Sequence, residues 1–358
     1  MPTRLILTSS ILGLIAYLIS VFFKIDVSNS YALQYLMRLA IAAGLYINVL
    51  SIDTNIFKKN LRLILGILLI GVPIKILLPG QLLGTFSPSI DWGIAFLAAT
   101  AIAQIDPIAA SKFLEKTKMS KKSETIVRAW SSLDDPVTVL FAFYIFLPAI
   151  LPQQSSFVRN FIIRIALDLT ICLAIYSFVY VIRKTSFSDT CKDVISIFII
   201  IITFAYSLYT QSFLVPATIG LFVRPFEPGK LTRIISAIFY LSVIILGLLA
   251  SHVSMDCLSG ALLAISMFFL AQVIVTLMFL GYSLFKGKDS LSDIVRVMFC
   301  HQNGMTAMLL TITFELEQVD GLLEVTLPTI LWIALFYILT NALVDRMFPS
   351  PDKTVLNA

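Results

Sequence analysis

Apolar residues fall in long blocks separated by short polar stretches, without the strict alternation of half-buried strands. Most of the blocks are long enough to cross a ~30 Å hydrocarbon core as a helix. Spans of this length must pair their backbone groups internally, so they predict membrane helices and not barrel strands. We number the blocks as segments 1 to 12, at roughly 5–23, 32–51, 61–79, 90–114, 126–150, 158–182, 194–209, 212–223, 231–251, 258–285, 292–314 and 323–343.

Residues 194–223 are the ambiguous part of this pattern, because they can be taken as one long span or as two. Segment 8 is short and contains Pro216. The loops after segments 2, 4, 6, 8 and 10 are rich in Lys and Arg. The loops on the opposite side contain only two basic residues, Lys24 and Arg159. This asymmetry follows the positive-inside rule only if 194–223 crosses twice. We therefore predict an all-α polytopic membrane protein of about twelve spans, with both termini cytoplasmic.

Composition supports one membrane domain over residues 1–358. Hydrophobic residues make up 58% of the chain and charged residues 13%, and no long polar stretch offers a separate soluble domain. The net charge of +5 does not indicate nucleic-acid binding, because the basic residues are scattered in short loops. The four cysteines lack CxxC spacing, so neither a disulfide framework nor a transition-metal site is predicted.

Three acidic residues lie deep inside two successive apolar segments. Asp134 and Asp135 are adjacent in segment 5, and Asp106 lies in segment 4. A carboxylate at bilayer depth costs at least ~2.5 kcal/mol, so an intramembrane acid is a functional-site hypothesis. Two neighbouring carboxylates repel each other and titrate as a coupled pair. The pair lies ~12 Å along segment 5, near the midplane where secondary transporters bind their ions.

Two segments contain interruptions, one in each half of the chain. Pro107 follows Asp106 and should break segment 4, because proline removes a backbone donor. Segment 11 has a polar and flexible stretch at residues 301–304. Paired broken helices, one in each half, predict the binding site of an inverted-repeat transporter. Asp106 would then neutralise the positive end of a half-helix.

Two motifs carry a resemblance to a known family. Residues 103–109, AQIDPIA, resemble the T-D-P-[VI]-A motif of monovalent cation/proton antiporters. Residues 131–135, SSLDD, are similar to the S-x-x-[ND]-D pattern of the next helix, and the Lys-rich loop between them resembles the family's inner loop. The resemblance implies exchange of Na⁺, Li⁺ or K⁺ for protons by alternating access, a role in pH homeostasis, and neither a cofactor nor an enzymatic reaction.

The resemblance also implies roles for individual residues. Asp135 would bind the cation or protons, and Ser131 with the backbone near Ile105 would complete an oxygen-rich site. Asp134 stands where electroneutral relatives have Asn and electrogenic relatives have Asp. Support for the helix crossing would come from Asp106, Ile105, Pro107, Asn303 and Gly304.

Some positions depart from the family pattern. Ile105 replaces the motif's Thr, and Trp130 replaces a Glu that often precedes the Ser. Segment 11 lacks the usual Lys or Arg, and Asn303 stands near that position. Arg296 and His301 are the possible charge partners of Asp134, and the partner and the ion stoichiometry stay open.

The implied architecture is a transport core of about 61–150 and 258–343 and a scaffold of about 5–51 and 212–251. The scaffold would form a homodimer interface in the lipid bilayer of the cell membrane. Three alternatives remain. The acid pair can be a structural network with Arg128, Arg164 or Arg296. A sodium-coupled organic-anion symporter of related architecture needs a roomy polar cavity, and a membrane sensor normally needs a soluble output domain.

Overall fold

The computed structural model describes residues 2–50, 61–117, 119–150, 157–226, 228–285 and 290–348. These ranges contain fourteen helices and no strand. The helices are α1 Pro2–Phe23, α2 Tyr31–Leu50, α3 Leu61–Phe86, α4 Trp92–Ile102, α5 Pro107–Lys116, α6 121–150, α7 Phe157–Lys184, α8 Asp189–Thr210, α9 Leu214–Ile219, α10 Pro228–Ala250, α11 257–285, α12 Leu291–Met298, α13 Met305–Leu316 and α14 Leu322–Met347.

The predicted all-helical polytopic class is confirmed. Within the described ranges, eight helices are long and apolar enough to cross a membrane. Three shorter apolar helices, at Leu7–Phe23, Trp92–Ile102 and Met305–Leu316, correspond to segment 1 and to halves of segments 4 and 11. The total of twelve spans stays a prediction.

The ambiguous stretch forms one long helix and an irregular return. Helix α8 ends at Thr210, and the backbone of the next residue, Gln211, is left-handed at φ 55°. The chain then passes through α9 to Arg224, which lines the same cavity as Asp189 at the start of α8. Arg183 donates to the carbonyl of Phe222 over 2.5 Å. The chain thus returns to the end where α8 began, although α9, at ~9 Å, is too short to span by itself.

Segments 3–5 and 10–12 share an order of structural features. Helix α3 contains a π-helical turn at Ile67–Gly71, and α11 contains one at Ser266–Ala271. In each half, this helix is followed by an interrupted helix and then by a long one. The shared order agrees with the predicted inverted repeat. Helices α3 and α11 pack closely near these turns, because a Cβ on Gly71 would lie 2.8 Å from Val275.

Topology gives a direct prediction. A reporter inserted near Lys121 should read cytoplasmic, and one near Asp320 should read external, because basic loops stay inside. Cysteine labelling with an impermeant reagent in intact cells would distinguish the two positions. If both positions read the same side, the double crossing of 194–223 is wrong.

Candidate ion-binding site

Both predicted helix interruptions are present. Helix α4 ends at Ile102 and α5 begins at Pro107, where a missing N–H costs nothing because the first turn has no helical acceptor for it. Helix α12 ends at Met298 and α13 begins at Met305. Each interruption leaves unpaired backbone groups inside the protein, which need partners.

The two interruptions supply those partners to each other. The backbone N–H of Asp106 donates to the carbonyl of Gln302 over 2.9 Å. The side-chain amide of Asn303 donates to the carbonyl of Ile102 over 3.0 Å, at the end of α4. Gly304 lies against Asp106 so closely that an added Cβ would overlap the carboxyl group. The crossing therefore requires glycine at this position.

Asp106 occupies the centre of the crossing. Its carboxylate accepts the N–H of Ala109 over 3.3 Å and so caps the start of α5. It also lies next to Gly304, at the start of α13. Two partly positive helix ends therefore face one carboxylate, which stabilises its negative charge. This arrangement favours a structural role for Asp106.

Asp135 lies in α6 and is buried, with 1% of its surface exposed. Its Oδ2 accepts from the Asn48 amide over 2.7 Å and from the Thr306 hydroxyl over 2.9 Å. Its Oδ1 is also buried, and no described group hydrogen-bonds to it. An unpaired buried carboxylate oxygen is costly, so this oxygen is suited to hold a proton or a cation.

Asp134 is fully buried on the same helix. Its Oδ2 accepts the backbone N–H of Ile105 over 2.9 Å, which links α6 to the interruption of segment 4. Its Oδ1 is unpaired among the described residues. Ile105 thus contributes a backbone donor, and its apolar side chain offers none of the hydroxyl chemistry of Thr.

Ser131 is buried one turn before the acid pair. Its hydroxyl donates to the carbonyl of Arg128 over 3.3 Å, within its own helix. The structure shows no hydrogen bond from Ser131 to Asp134 or Asp135, so its predicted ligand role rests on the family resemblance.

Lys75 is the buried cation beside the acid pair. It projects from α3 with 0% of its surface exposed, and it interacts electrostatically with Asp134 and Asp135. Its Nζ lies 3.2 Å from Nδ1 of His301 and 5.3 Å from the ring centre of Trp130. Aromatic faces attract ammonium groups, and an imidazole nitrogen accepts from them. Lys75 therefore connects His301 to the acid pair.

Arg296 does not have the predicted role of a charge partner for Asp134. Its guanidinium forms an ion pair with Asp345 over 2.8 Å and donates to the carbonyl of Phe348 over 2.7 Å. Arg296 lies in α12, before the interruption, and it reaches the end of α14 instead of the carboxylates.

The other two arginines considered as structural partners are also occupied elsewhere. Arg128 pairs with Glu124 over 2.8 Å on its own helix. Arg164 donates to the carbonyl of Thr210 over 2.6 Å and lies over the ring of Tyr144. An arginine-based structural network around the acid pair is therefore not present in the described part of the chain.

The sequence pattern did not identify three residues that lie at this site: Asn48, Thr306 and Lys75. Asn48 and Lys75 are isolated polar residues in apolar segments 2 and 3. A polar residue in a membrane segment is costly unless it faces the protein interior. An isolated polar residue in an apolar segment therefore indicates a position inside the protein, and this feature could have identified Asn48 and Lys75. Thr306 follows the interruption of segment 11 closely, where side chains from the start of α13 face the crossing.

A helical membrane protein with crossed broken helices beside buried carboxylates has the architecture of a secondary transporter and not of an enzyme. The sequence model of the sodium/hydrogen exchanger transmembrane family matches residues 2–224, and the chain belongs to this family. The fold agrees with that membership.

Two solved structures of one protein are similar to this chain. One is the sodium proton antiporter MjNhaP1 from Methanocaldococcus jannaschii at pH 8, with a TM-score of 0.66 and 15% identity over 94% of this chain and 89% of that one. The other is an electron-microscopy structure of MjNhaP1, with a TM-score of 0.63 and 14% identity over 94% and 86%. No curated protein sequence matches the chain at a significant level.

Proposed function

We propose that this secondary antiporter exchanges Na⁺ for protons at the carboxylate of Asp135. The observation that carries the proposal is the unpaired, buried Oδ1 of Asp135 next to a second buried acid. Na⁺ prefers hard oxygen ligands, which carboxylate and hydroxyl groups provide, whereas a proton needs only the carboxylate oxygen. One carboxylate cannot bind both with full strength, so each displaces the other.

Asn48 and Thr306 hold the carboxylate in place during this competition. Both donate to Oδ2 of Asp135, which leaves Oδ1 oriented away from them. Asn48 belongs to α2, in the proposed scaffold, and Thr306 belongs to α13, in the proposed core. Movement of core against scaffold would therefore stretch one of the two bonds, which would link occupancy of Asp135 to alternating access.

The wider assignments remain part of this proposal. The chain would act as one membrane domain, with 61–150 and 258–343 as the moving core and 5–51 and 212–251 as the scaffold and homodimer interface. The protein would lie in the cell membrane with both termini cytoplasmic. Li⁺ and K⁺ are the alternative cargo cations, since oxygen ligands accept them as well.

A sodium-coupled organic-anion symporter is less well supported. Family membership favours cation/proton exchange. In the described part of the chain, Lys75 is a cation near the two acids. It already interacts with them, with His301 and with the ring of Trp130. An organic carboxylate would need a cationic partner of its own.

Dye-loaded proteoliposomes test the proposed exchange. A pH-sensitive dye reports an imposed inside-acid gradient, and NaCl, LiCl, KCl or choline chloride is then added outside. We expect Na⁺ to dissipate the gradient and choline to have no effect. A chain that responds to none of the inorganic cations would contradict the proposal.

The exchange should have a definite pH dependence. Because protons compete with Na⁺ for Asp135, the apparent KM for Na⁺ should rise by up to about tenfold for each pH unit of acidification in the competitive range. The maximal rate should change much less. Initial rates over a matrix of Na⁺ concentration and pH would show this, and a KM that stays flat across pH would exclude a shared site.

A further inference from the structure

An ion pair joins the proposed scaffold to the proposed core at the end of the molecule that is predicted to face outside. The guanidinium of Arg38, in α2, lies 3.0 Å from Oε1 of Glu317, which directly follows α13. The side-chain amide of Gln211 donates to the same oxygen over 2.8 Å. The side chains of Arg38 and Glu317 are only 15% and 13% exposed. Charged hydrogen bonds that are shielded from water are strong, so this pair stabilises the contact between the two parts.

Two further hydrogen bonds cross the same boundary beside the ion pair. Gln34, one turn before Arg38, donates to the carbonyl of Leu316 over 2.5 Å. Gln318 donates to the side chain of Asn29, just before α2, over 2.7 Å. All of these contacts join the start of α2 to the end of α13, so all of them break if the two helix ends separate.

A layer of three buried phenylalanine rings lies between these polar contacts and the ion site. The ring centre of Phe143 is 4.6 Å from that of Phe213 and 5.2 Å from that of Phe314. Phe143 follows Asp135 by eight residues in α6, and Phe314 follows Thr306 by eight residues in α13. The layer therefore lies ~12 Å from the carboxylate, toward the same end of the molecule. Close-packed interiors contain few voids larger than a water molecule, so this layer blocks the path of an ion.

We propose that these contacts form an external gate, which opens when the core moves to bring the acid pair into exchange with the outside. The ion pair and the hydrogen bonds beside it keep the gate closed, and the ring layer blocks the ion path beneath them. Phe213 belongs to the proposed scaffold, whereas the other two rings belong to the proposed core. The movement that breaks the ion pair therefore also separates the rings. The gate's role in transport rests on the proposed alternating access, whereas its closed contacts do not.

Thr313 provides a buried reporter for the gate. It lies one turn before Glu317, and its side chain is fully buried. Thr313→Cys keeps the size of the side chain and is made in a background in which the native cysteines are replaced by serine. An impermeant thiol reagent added to intact cells should modify this cysteine slowly while the gate is closed. Glu317→Gln removes the charge of the ion pair at the same size and should raise the rate of modification at least about tenfold.

Asp345→Asn is the matched control for Glu317→Gln. Asp345 also pairs with a buried arginine, Arg296, over 2.8 Å, but this pair joins α12 to α14 within the proposed core. Its loss should leave the rate of Thr313→Cys modification unchanged. The modification requires no transport, so the result is independent of whether the chain exchanges Na⁺.

A cross-link across the gate tests its role in transport and does not depend on the folding of Glu317→Gln. Asn29 and Gln318 are exposed, so a short, reducible bifunctional thiol reagent can bridge Asn29→Cys/Gln318→Cys in the same background. We expect exchange of labelled for unlabelled Na⁺ to fall to the level of empty liposomes and to return on reduction. Either single cysteine variant should be unaffected by the reagent.

Two results would overturn the gate. One is full Na⁺ exchange by the bridged protein, which would leave the antiport proposal intact. The other is modification of Thr313→Cys at the same rate with and without Glu317→Gln. A chain that exchanges no Na⁺ before the reagent is added would instead contradict the antiport proposal, and the rate of modification would then decide whether the gate exists.

Discussion

Asp135→Asn should reduce Na⁺-dependent proton movement to the level of empty liposomes. The amide keeps the size of the side chain and can still accept from Asn48 and Thr306 through its oxygen. It cannot carry the negative charge that a cation requires, and it cannot release a proton at neutral pH. Initial rates of dye dequenching after Na⁺ addition measure the effect.

Asp168→Asn is the matched control for this variant. Asp168 is also a fully buried carboxylate, and it accepts hydrogen bonds from the hydroxyls of Tyr144 and Tyr206, the latter over 3.0 Å. The Asn oxygen can keep one of these bonds, so this variant should insert and retain exchange. If Asp135→Asn exchanges Na⁺ as well as Asp168→Asn does, the charge of Asp135 is not the carrier.

The second large effect concerns membrane potential. With Asp134 and Asp135 both available to protons, one cycle can move two protons against one Na⁺ and thus one net charge. That charge is worth ~2.3 kcal/mol per 100 mV, which shifts the equilibrium ion ratio roughly fortyfold. Imposing a potential with a K⁺ diffusion gradient and valinomycin, in Na⁺-containing buffers, should therefore drive exchange in the native protein.

Asp134→Asn should remain active and lose this response, because only one titrating acid remains. The change removes one of the two carboxylates that interact with the buried Lys75, and a buried charge that loses a partner is destabilising. The double variant Asp134→Asn/Lys75→Met removes both charges together and should restore the lost stability while it stays electroneutral. A native protein that is indifferent to potential would mean that Asp134 is only a neighbour of Asp135.

The sequence predicted the architecture because its strongest signals are local. Proline after Asp106 and glycine at position 304 interrupt helices by their own backbone chemistry, and both interruptions lie where they were expected. The length of segment 5 also predicts that Asp134 and Asp135 lie near the middle of the membrane. These inferences needed no knowledge of which helices touch.

The remaining part of the site depends on contacts between distant segments. Asn48 is 87 residues from Asp135, and Lys75 is 226 residues from His301, so no spacing pattern connects them. The sequence indicates Arg296 or His301, both in segment 11, as the possible charge partner of Asp134. The packing of α3 instead brings Lys75 from segment 3 into contact with His301. An isolated Lys in an apolar segment can equally extend to the membrane surface, and only packing decides between the two.

The return after α8 shows a different limit. A six-residue helix with irregular flanks gives no clear hydrophobic period, yet it brings Arg224 back to the start of α8. Loop charge predicted the return, while its irregular form depends on packing against neighbouring helices.

The measurement that tests the central claim most directly is the balance point of exchange in proteoliposomes. A tenfold Na⁺ gradient is imposed at zero potential, and the pH difference is varied until net flux stops. Exchange of two protons for one Na⁺ at Asp134 and Asp135 predicts balance at a pH difference of about half a unit, with the side richer in Na⁺ the more acidic. Net flux should reverse on either side of that point. Balance at about one unit would reduce the stoichiometry to a single proton, and Na⁺ and proton fluxes that never balance each other would contradict coupled exchange at Asp135 altogether.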